Sequence, residues 1–290
     1  MEGGMALELD DWGGSGPLLH FACANGFPPE TYRKLFARLA TRYHVVSLRT
    51  RPLTPDQAPE ALTTWQELGD DLARELQLRG RSGVLGVGHS VGGTSTLMAS
   101  AANPGLFRAV VALDPVLVTG PRAWGVRLMK ALGRMDRTAI VQGARRRRER
   151  WATREEAATA YRQRRLFRDW DADCFNDYIT HGLVPADAGD FRLRFPREWE
   201  ARIFETFPAD PWRLIRANAA PTLVLRGERS DTLLPEALAR AEQEMPRTKV
   251  EELPLASHLF PMEKPRETAE RVLAFLDALG PVDPGSAPEL

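Results

Sequence analysis

The residues GHSVG at positions 88–92 match the pattern G-x-S-x-G, with Ser90 at its centre. They lie between an apolar run, GVLGVGH, that is typical of a buried strand and a segment of small residues, TSTLMASAA, that is typical of a helix. A serine on so sharp a strand-to-helix turn takes strained dihedral angles that expose its hydroxyl group. The pattern therefore predicts a nucleophilic Ser90, with the Val91 backbone N–H directed at a developing oxyanion. The plain alternative is a tight turn, because the pattern also occurs by chance.

A serine nucleophile needs a base that takes its proton. His258, in LPLASHLFP, follows a late apolar run and precedes a helix, which predicts a position at the edge of the sheet where the serine also lies. The side chain of His89 should point away from the site. His20 and His44 fall within or beside predicted strands and are expected to be structural, and His181 lies in a different region of the chain.

A third group must orient the base. Asp231, in LVLRGERSD, comes just after the strand that precedes His258, and Glu228 lies close by as an alternative. The predicted chain order of the three groups is Ser90, Asp231, His258.

The elements that must position these groups alternate between short apolar runs and helical patterns. This alternation predicts an α/β fold with a mostly parallel sheet flanked by helices. The predicted strands lie at residues 17–22, 44–50, 83–89, 107–116, 220–228 and 249–258.

Residues 119–213 interrupt this alternation with a helical bias. They hold five of the seven tryptophans and carry 20 basic against 14 acidic residues. We expect a helical cap over the carboxyl edge of the sheet, where open α/β folds bind ligands, between two parts of the core at 1–118 and 214–290. The run Arg145–Arg148 favours a solvated helix face over a binding site, although contact with an acidic partner stays open. The tryptophans are expected to be mostly core, with one or two as candidates to line a pocket.

The overall composition excludes several classes of function. The 290 residues include 39 basic and 39 acidic residues, so a net charge of zero argues against nucleic acid or an anionic membrane as the main partner and favours a small molecule. Cys23 and Cys174 are too few for a disulfide framework and lack zinc-site spacing. The acidic, glycine-rich residues 1–16 do not match a secretory signal, and no segment is long enough to span a membrane. We expect a cytoplasmic protein; its oligomeric state, a homo-oligomer included, stays open.

The segments GVGHSVGG, LVLRGERSD and LASHLF together resemble the α/β-hydrolase-fold enzymes that carry a helical cap. The resemblance spans nearly the whole chain and implies Ser90 as nucleophile, His258 as base and Asp231 as acid. Some members of the family carry the acid after the strand before the cap, a place that Asp114 in ALDPV occupies. Asp114 is therefore the reserve acid.

The same resemblance implies a second oxyanion donor in the loop after an early strand, commonly His-Gly-x-Pro. The matching stretch is CANGFPP, in which Asn25 stands where the family has histidine. The Phe27 backbone N–H is then the expected donor beside that of Val91. Asn25 must supply the hydrogen bonds that histidine otherwise makes.

These features together predict a hydrolase of carboxylic esters or related acyl compounds, such as lactones and thioesters, that works through an acyl-enzyme. This chemistry requires no cofactor and no metal. The same triad also serves carbon–carbon bond hydrolysis, cofactor-free haloperoxidation and hydroxynitrile cleavage, because fold does not settle chemistry. A protein of this fold that binds a ligand without turnover is a further alternative.

Overall fold

The computed structural model describes residues 7–186 and 189–280. The first six residues, on which part of the argument against a secretory signal rests, lie outside this range. Before residue 119 the strands are β1 (Leu9–Asp11), β2 (Leu18–Ala22), β3 (His44–Leu48), β4 (Val84–His89) and β5 (Phe107–Leu113). The helices between them are α1 (Arg33–Leu39), α2 (Gln66–Leu78) and α3 (Val91–Ala102).

Residues 119–213, called the inserted region below, follow β5. Their helices are α4 (Gly120–Ala131), α5 (Ala139–Arg145), α6 (Arg154–Arg162), α7 (Ala172–His181) and α8 (Arg197–Glu205), with α9 (Pro211–Ile215) at the far boundary. Their strands are β6 (Arg150–Trp151), β7 (Leu183–Pro185) and β8 (Phe191–Leu193). The chain then continues through β9 (Thr222–Gly227), α10 (Pro235–Glu244), β10 (Thr248–Leu253), α11 (Phe260–Glu263) and α12 (Pro265–Asp277).

The main sheet has the strand order β1-β3-β2-β4-β5-β9-β10. Only the edge strand β1 runs antiparallel to its neighbour within this sheet of the described chain. The predicted α/β class with a mostly parallel sheet is confirmed. Because parallel strands start and end together, the carboxyl ends of β4, β5 and β9 lie side by side, and the loops that follow them share one edge of the sheet.

The central strands β4, β5 and β9 are buried on both faces, and their residues are accordingly mostly apolar. In β5, Ala109, Val111 and Leu113 pack on one face, and Val110 and Ala112 pack on the other. Helices α1 and α12 cover the first face, while α2, α3, α9 and α10 cover the second. The helices thereby hold β4 and β5 rigid beneath the loops at the sheet edge.

The inserted region is more than helical. Besides the predicted helices, it contains three short strands that form an antiparallel sheet in the order β6-β8-β7. Most of its tryptophans are core residues, as expected, and the buried ones are Trp151, Trp170, Trp199 and Trp212. Trp124 on α4 is 70% exposed. Aromatic residues of α6 and α7 join the same apolar cluster as β2 and α1, so the inserted region packs directly on the core.

No helix within residues 7–186 and 189–280 combines the length and apolarity that crossing a membrane requires. Cys23 and Cys174 are both free thiols in the structure.

Candidate active site

Ser90 lies on a strained turn between β4 and α3. Its backbone has φ 56° and ψ −121°, and a non-glycine residue with positive φ marks stored strain. The Ser90 N–H donates to the carbonyl oxygen of Leu113 at 2.9 Å, which ties the turn to the end of β5. The turn is held by backbone contacts on both sides of the serine.

Two glycines make this turn sterically feasible. A Cβ atom on Gly88 would lie 2.5 Å from the Gly92 carbonyl oxygen, and one on Gly92 would lie 2.3 Å from the Ala22 carbonyl oxygen. Neither distance is compatible with a real side chain. The glycines therefore allow α3 to start directly against the ends of β2 and β4, as the sequence pattern predicts.

Ser90, His258 and Asp114 form a continuous hydrogen-bonded chain. The Ser90 hydroxyl lies 3.0 Å from Nε2 of His258, and Nδ1 of the same imidazole lies 2.7 Å from Oδ2 of Asp114. Asp114 is fully buried at the end of β5 and also accepts hydrogen bonds from the Gly227 N–H at 3.0 Å and the Ser230 hydroxyl at 2.5 Å. These bonds fix the orientation of the carboxylate toward the imidazole.

The predicted pairing of Asp231 with His258 is wrong. Asp231 is exposed, and its backbone carbonyl oxygen accepts a hydrogen bond from Arg122 at 2.6 Å. The loop after β9 turns at Ser230, whose hydroxyl bonds Asp114, and this turn leaves Asp231 on the solvent side. The reserve position, Asp114, supplies the carboxylate.

Glu228, the other alternative acid, supports the loop that carries His258. Its Oε2 accepts the Leu255 N–H at 2.6 Å, and the neighbouring Arg229 N–H donates to the Ala256 carbonyl oxygen at 2.8 Å. The end of β9 is thus bonded to the segment 255–256 immediately before the histidine.

His89 points away from the serine, as expected, and lies beneath the base. Its Nδ1 is 2.8 Å from the Tyr32 hydroxyl, and its Nε2 is 2.9 Å from the backbone carbonyl oxygen of His258. The carbonyl oxygen can only accept, so Nε2 carries the proton and Tyr32 donates to Nδ1. The Tyr32 hydroxyl in turn accepts the Ala24 N–H at 3.2 Å. Burial, with some repulsion from His258, lowers the pKa of His89 well below its usual value, so its imidazole is neutral.

The other histidines lie away from the serine. His20 is buried in β2 and accepts the Leu48 N–H at Nε2, and burial lowers its pKa to about 3. His44 pairs with Asp11 at the sheet edge. His181 lies at the end of α7. All three fit structural roles.

Phe27, whose backbone N–H is the predicted oxyanion donor, lies in the loop after β2. Phe27 and Val91 both line the same cavity as Ser90, and the Phe27 N–H is 3.4 Å from the Ala24 carbonyl oxygen. That distance is longer than an ordinary N–H···O bond, so the contact holds the N–H only weakly. Asn25, where the family pattern has histidine, donates from Nδ2 to the carbonyl oxygen of Glu200 at 3.0 Å. The asparagine thus links this loop to the inserted region.

The cavity between the sheet edge and the inserted region has a volume of about 630 Å³. Apolar side chains make up most of its lining, Val116, Val118, Val126, Met135, Ile140 and Leu166 among them. Among the described residues, Trp65 of the core is the one tryptophan that lines the cavity, and none of the candidate tryptophans of the inserted region does so. Arg147, Arg164 and Glu200 add charge to the wall.

A serine on a strand-to-helix turn, a histidine after the last strand and a parallel sheet beneath them define the class of α/β hydrolases. Comparison with known sequences agrees: the sequence pattern of the alpha/beta hydrolase family matches residues 18–271, and the chain belongs to this family.

Two relatives are similar over most of their length. The chain is 27% identical to 2-(acetamidomethylene)succinate hydrolase of Mesorhizobium japonicum, over 91% of this chain and 90% of that one. It is 28% identical to the abhydrolase domain-containing protein ACTT2 of Alternaria alternata, over 67% of this chain and 83% of the relative.

Solved structures show the same fold. The crystal structure of E-2-(acetamidomethylene)succinate hydrolase superposes with a TM-score of 0.75 at 23% identity, covering 93% of this chain and 95% of the other. An esterase of M. tuberculosis gives 0.71 at 21% identity, covering 94% and 89%.

Proposed function

We propose that the protein is a serine hydrolase of carboxylic esters or related acyl compounds, lactones and thioesters included. The observation that carries this proposal is the hydrogen-bonded chain Ser90–His258–Asp114, with contacts of 3.0 Å and 2.7 Å, at the wall of a large cavity. The hydroxyl and its base are already within the distance over which a proton is transferred.

The reaction follows from the roles that these distances permit. His258 Nε2 takes the proton of Ser90 as Oγ attacks the substrate carbonyl carbon, and Asp114 stabilises the resulting imidazolium. The N–H groups of Val91 and Phe27 bind the developing oxyanion, each contributing about 3 kcal/mol of transition-state stabilisation. His258 then protonates the leaving alcohol, and water, deprotonated by the same imidazole, releases the acid from Ser90.

The inserted region acts as a cap in this proposal. It supplies the far wall of the cavity, and the Asn25–Glu200 hydrogen bond joins it to the loop that carries Phe27. A wall of this kind excludes water around the acyl group and strengthens the electrostatic interactions inside.

The test combines labelling with turnover. Intact mass after incubation with a fluorophosphonate should show one adduct on the native protein and none on Ser90→Ala, with hydrolysis of aryl esters from acetate to decanoate lost in the variant. A native protein that neither forms the adduct nor hydrolyses any ester of the series would contradict the proposal. The profile of rate against chain length measures how much of the cavity the acyl group fills.

A second candidate uses the same three residues on another bond. The similarity to 2-(acetamidomethylene)succinate hydrolase supports hydrolysis of that compound or one like it. Incubation of the native protein with 2-(acetamidomethylene)succinate, followed by chromatography, distinguishes the candidates, because the substrate should disappear with native protein and persist with Ser90→Ala. A vinylogous diketone tests carbon–carbon bond hydrolysis, and a cyanohydrin tests hydroxynitrile cleavage.

A further inference from the structure

The arginine run 145–148 divides between the surface and the cavity. Arg145 pairs with Glu205 at 3.3 Å and Arg148 with Glu156 at 2.6 Å, and Arg146 is exposed. Arg147 turns inward, with its side chain 13% exposed, and lines the cavity that holds Ser90. The expectation of a solvated helix face is therefore wrong for Arg147.

Arg147 is held charged in the cavity wall. Its guanidinium group donates to Glu200 and to the hydroxyl groups of Tyr161 and Tyr178. Burial by itself lowers the pKa of Arg147. The neighbouring Tyr178 and Glu200 raise this pKa by more than burial lowers it, so the net shift is upward. The guanidinium group is thus a permanent cation in a mostly apolar cavity.

This guanidinium group has unused donors and lies near the loop after β2. An arginine has five N–H donors, and Arg147 uses three of them on acceptors within residues 7–186 and 189–280. A Cβ atom added to Gly26 would lie 3.4 Å from Nη1 of Arg147. The cation therefore lies against the loop whose next residue, Phe27, is the proposed oxyanion donor.

A second arginine faces the same space. The guanidinium carbons of Arg164 and Arg147 each lie 5.7 Å from the ring centroid of Tyr161, and both side chains line the cavity. Arg164 has no acidic partner in the part of the chain that the structure describes, and it is exposed at the cavity wall. The wall thus carries two permanent cations against one carboxylate, that of Glu200.

We propose that Arg147 and Arg164 bind a carboxylate group of the substrate, so that the protein prefers half-esters, or equivalent acyl derivatives, of dicarboxylic acids. The inference rests on the proposed hydrolase function and names its substrate class. The excess of one positive charge matches one carboxylate, and the apolar wall matches the carbon chain between the carboxylate and the scissile carbonyl group. A substrate carboxylate that pairs with a desolvated guanidinium gains binding energy that an uncharged ester lacks, so the enzyme selects the charged substrate.

The experiment compares matched substrates. Monoethyl esters of the C4 to C8 dicarboxylic acids are assayed beside ethyl esters of monocarboxylic acids of the same length. We expect the native protein to prefer the half-ester at the best length. Arg147→Gln should lower kcat/KM for that half-ester roughly 10- to 100-fold, the range for a lost hydrogen bond to a charged group, and change it by less than about 3-fold for the neutral ester.

Control variants separate charge recognition from damage to the site. Arg146→Gln, in the same run but exposed, should leave both substrates unchanged, and Arg147→Lys should restore part of the preference. Arg164→Gln removes the second positive charge at an exposed position, where the substitution does not threaten folding. It should lower kcat/KM for the half-ester and leave that for the neutral ester unchanged. Equal losses on both substrates in Arg147→Gln would mean that the residue only positions the Phe27 loop and would overturn the proposal, as would a native protein without preference.

A binding measurement keeps this test separate from the proposed function. Titration calorimetry of the dicarboxylic acids into Ser90→Ala measures the carboxylate site without turnover. Binding that disappears in Ser90→Ala/Arg147→Gln supports the site even if no ester is hydrolysed, whereas undetectable binding in Ser90→Ala overturns it even if neutral esters are hydrolysed.

Discussion

The sheet edge and the inserted region contribute different groups to one cavity. The turn after β4 carries the Ser90 hydroxyl, the residue after β5 is Asp114, and the loop after β10 carries the His258 imidazole. The loop after β2 and the start of α3 carry the proposed oxyanion donors. The inserted region provides the charged residues of the cavity wall, Arg147 and Arg164 among them, and most of its apolar residues. Bond cleavage should therefore depend on the first set and substrate choice on the second.

The two regions also differ in charge. The inserted region has 20 basic and 14 acidic residues, which leaves 19 basic and 25 acidic residues for the rest of the chain. Ion pairs join the two, among them Arg194–Glu30 at 2.6 Å and Lys34–Asp171 at 2.8 Å. Both pairs are part-buried, and they act together with apolar packing and the Asn25–Glu200 hydrogen bond in holding the inserted region on the core.

The largest expected effect comes from removing the nucleophile. Ser90→Ala should lower kcat for ester hydrolysis by about 10⁵- to 10⁶-fold, since the remaining groups of such a triad act only as a unit with the serine. Steady-state kinetics measures the loss, and an unchanged circular dichroism spectrum serves as the fold control. A kcat within 100-fold of the native value would show that Ser90 is not the nucleophile.

Asp114→Asn should lower kcat by about 10⁴-fold, because an amide in this position favours the wrong tautomer of His258. Asp231→Asn is the matched control, since it removes the same charge from an exposed side chain, and its kcat should stay within about 2-fold of native. The reverse result would restore Asp231 as the acid and contradict the geometry at the end of β5.

Two tryptophans sharpen the comparison within the inserted region. Trp199 is 3% exposed, and Trp199→Ala should lower the free energy of unfolding by about 3–5 kcal/mol through the cavity it leaves. Trp124 is 70% exposed, and Trp124→Ser should change the same quantity by less than about 0.5 kcal/mol. Urea denaturation measures both. A large loss of unfolding free energy in Trp124→Ser would show that the Trp124 side chain on α4 is buried in solution.

Acid should destabilise the core through His20. Its folded pKa of about 3 lies below the ordinary value of 6.5, so between these values only the unfolded chain holds the proton. The contribution of His20 to stability is therefore complete above pH 6.5 and is lost as the pH falls, by about 1.4 kcal/mol per pH unit.

Urea unfolding of native protein and His20→Gln between pH 7 and 5 checks this slope, which should be shallower in the variant. Parallel slopes for native protein and His20→Gln would contradict the prediction.

The sequence predicts the sheet and two of the three bonded groups because these depend on local features. Apolar runs of strand length reveal β4 and β5, and the glycines at 88 and 92 identify the turn at Ser90. The choice between Asp114 and Asp231 depends on where two neighbouring loops turn, which spacing along the chain does not determine. Strands β6, β7 and β8 are too short for a periodic signal, since none exceeds three residues. Arg147 is indistinguishable in the sequence from its neighbours, because only the tertiary fold turns one arginine of the run inward.

The hydrogen bonds around Tyr32 and His89 have a direction. From the Ala24 N–H, through the tyrosine hydroxyl and the imidazole, to the carbonyl oxygen of His258, each donor points the same way. Removing the Tyr32 hydroxyl would leave His89 Nδ1 without its donor and the Ala24 N–H without its acceptor. Positions 32 and 89 are therefore energetically coupled, and a double-mutant cycle on them should return a coupling energy rather than a sum. Through these bonds the loop that carries Phe27 is connected to the backbone of the base.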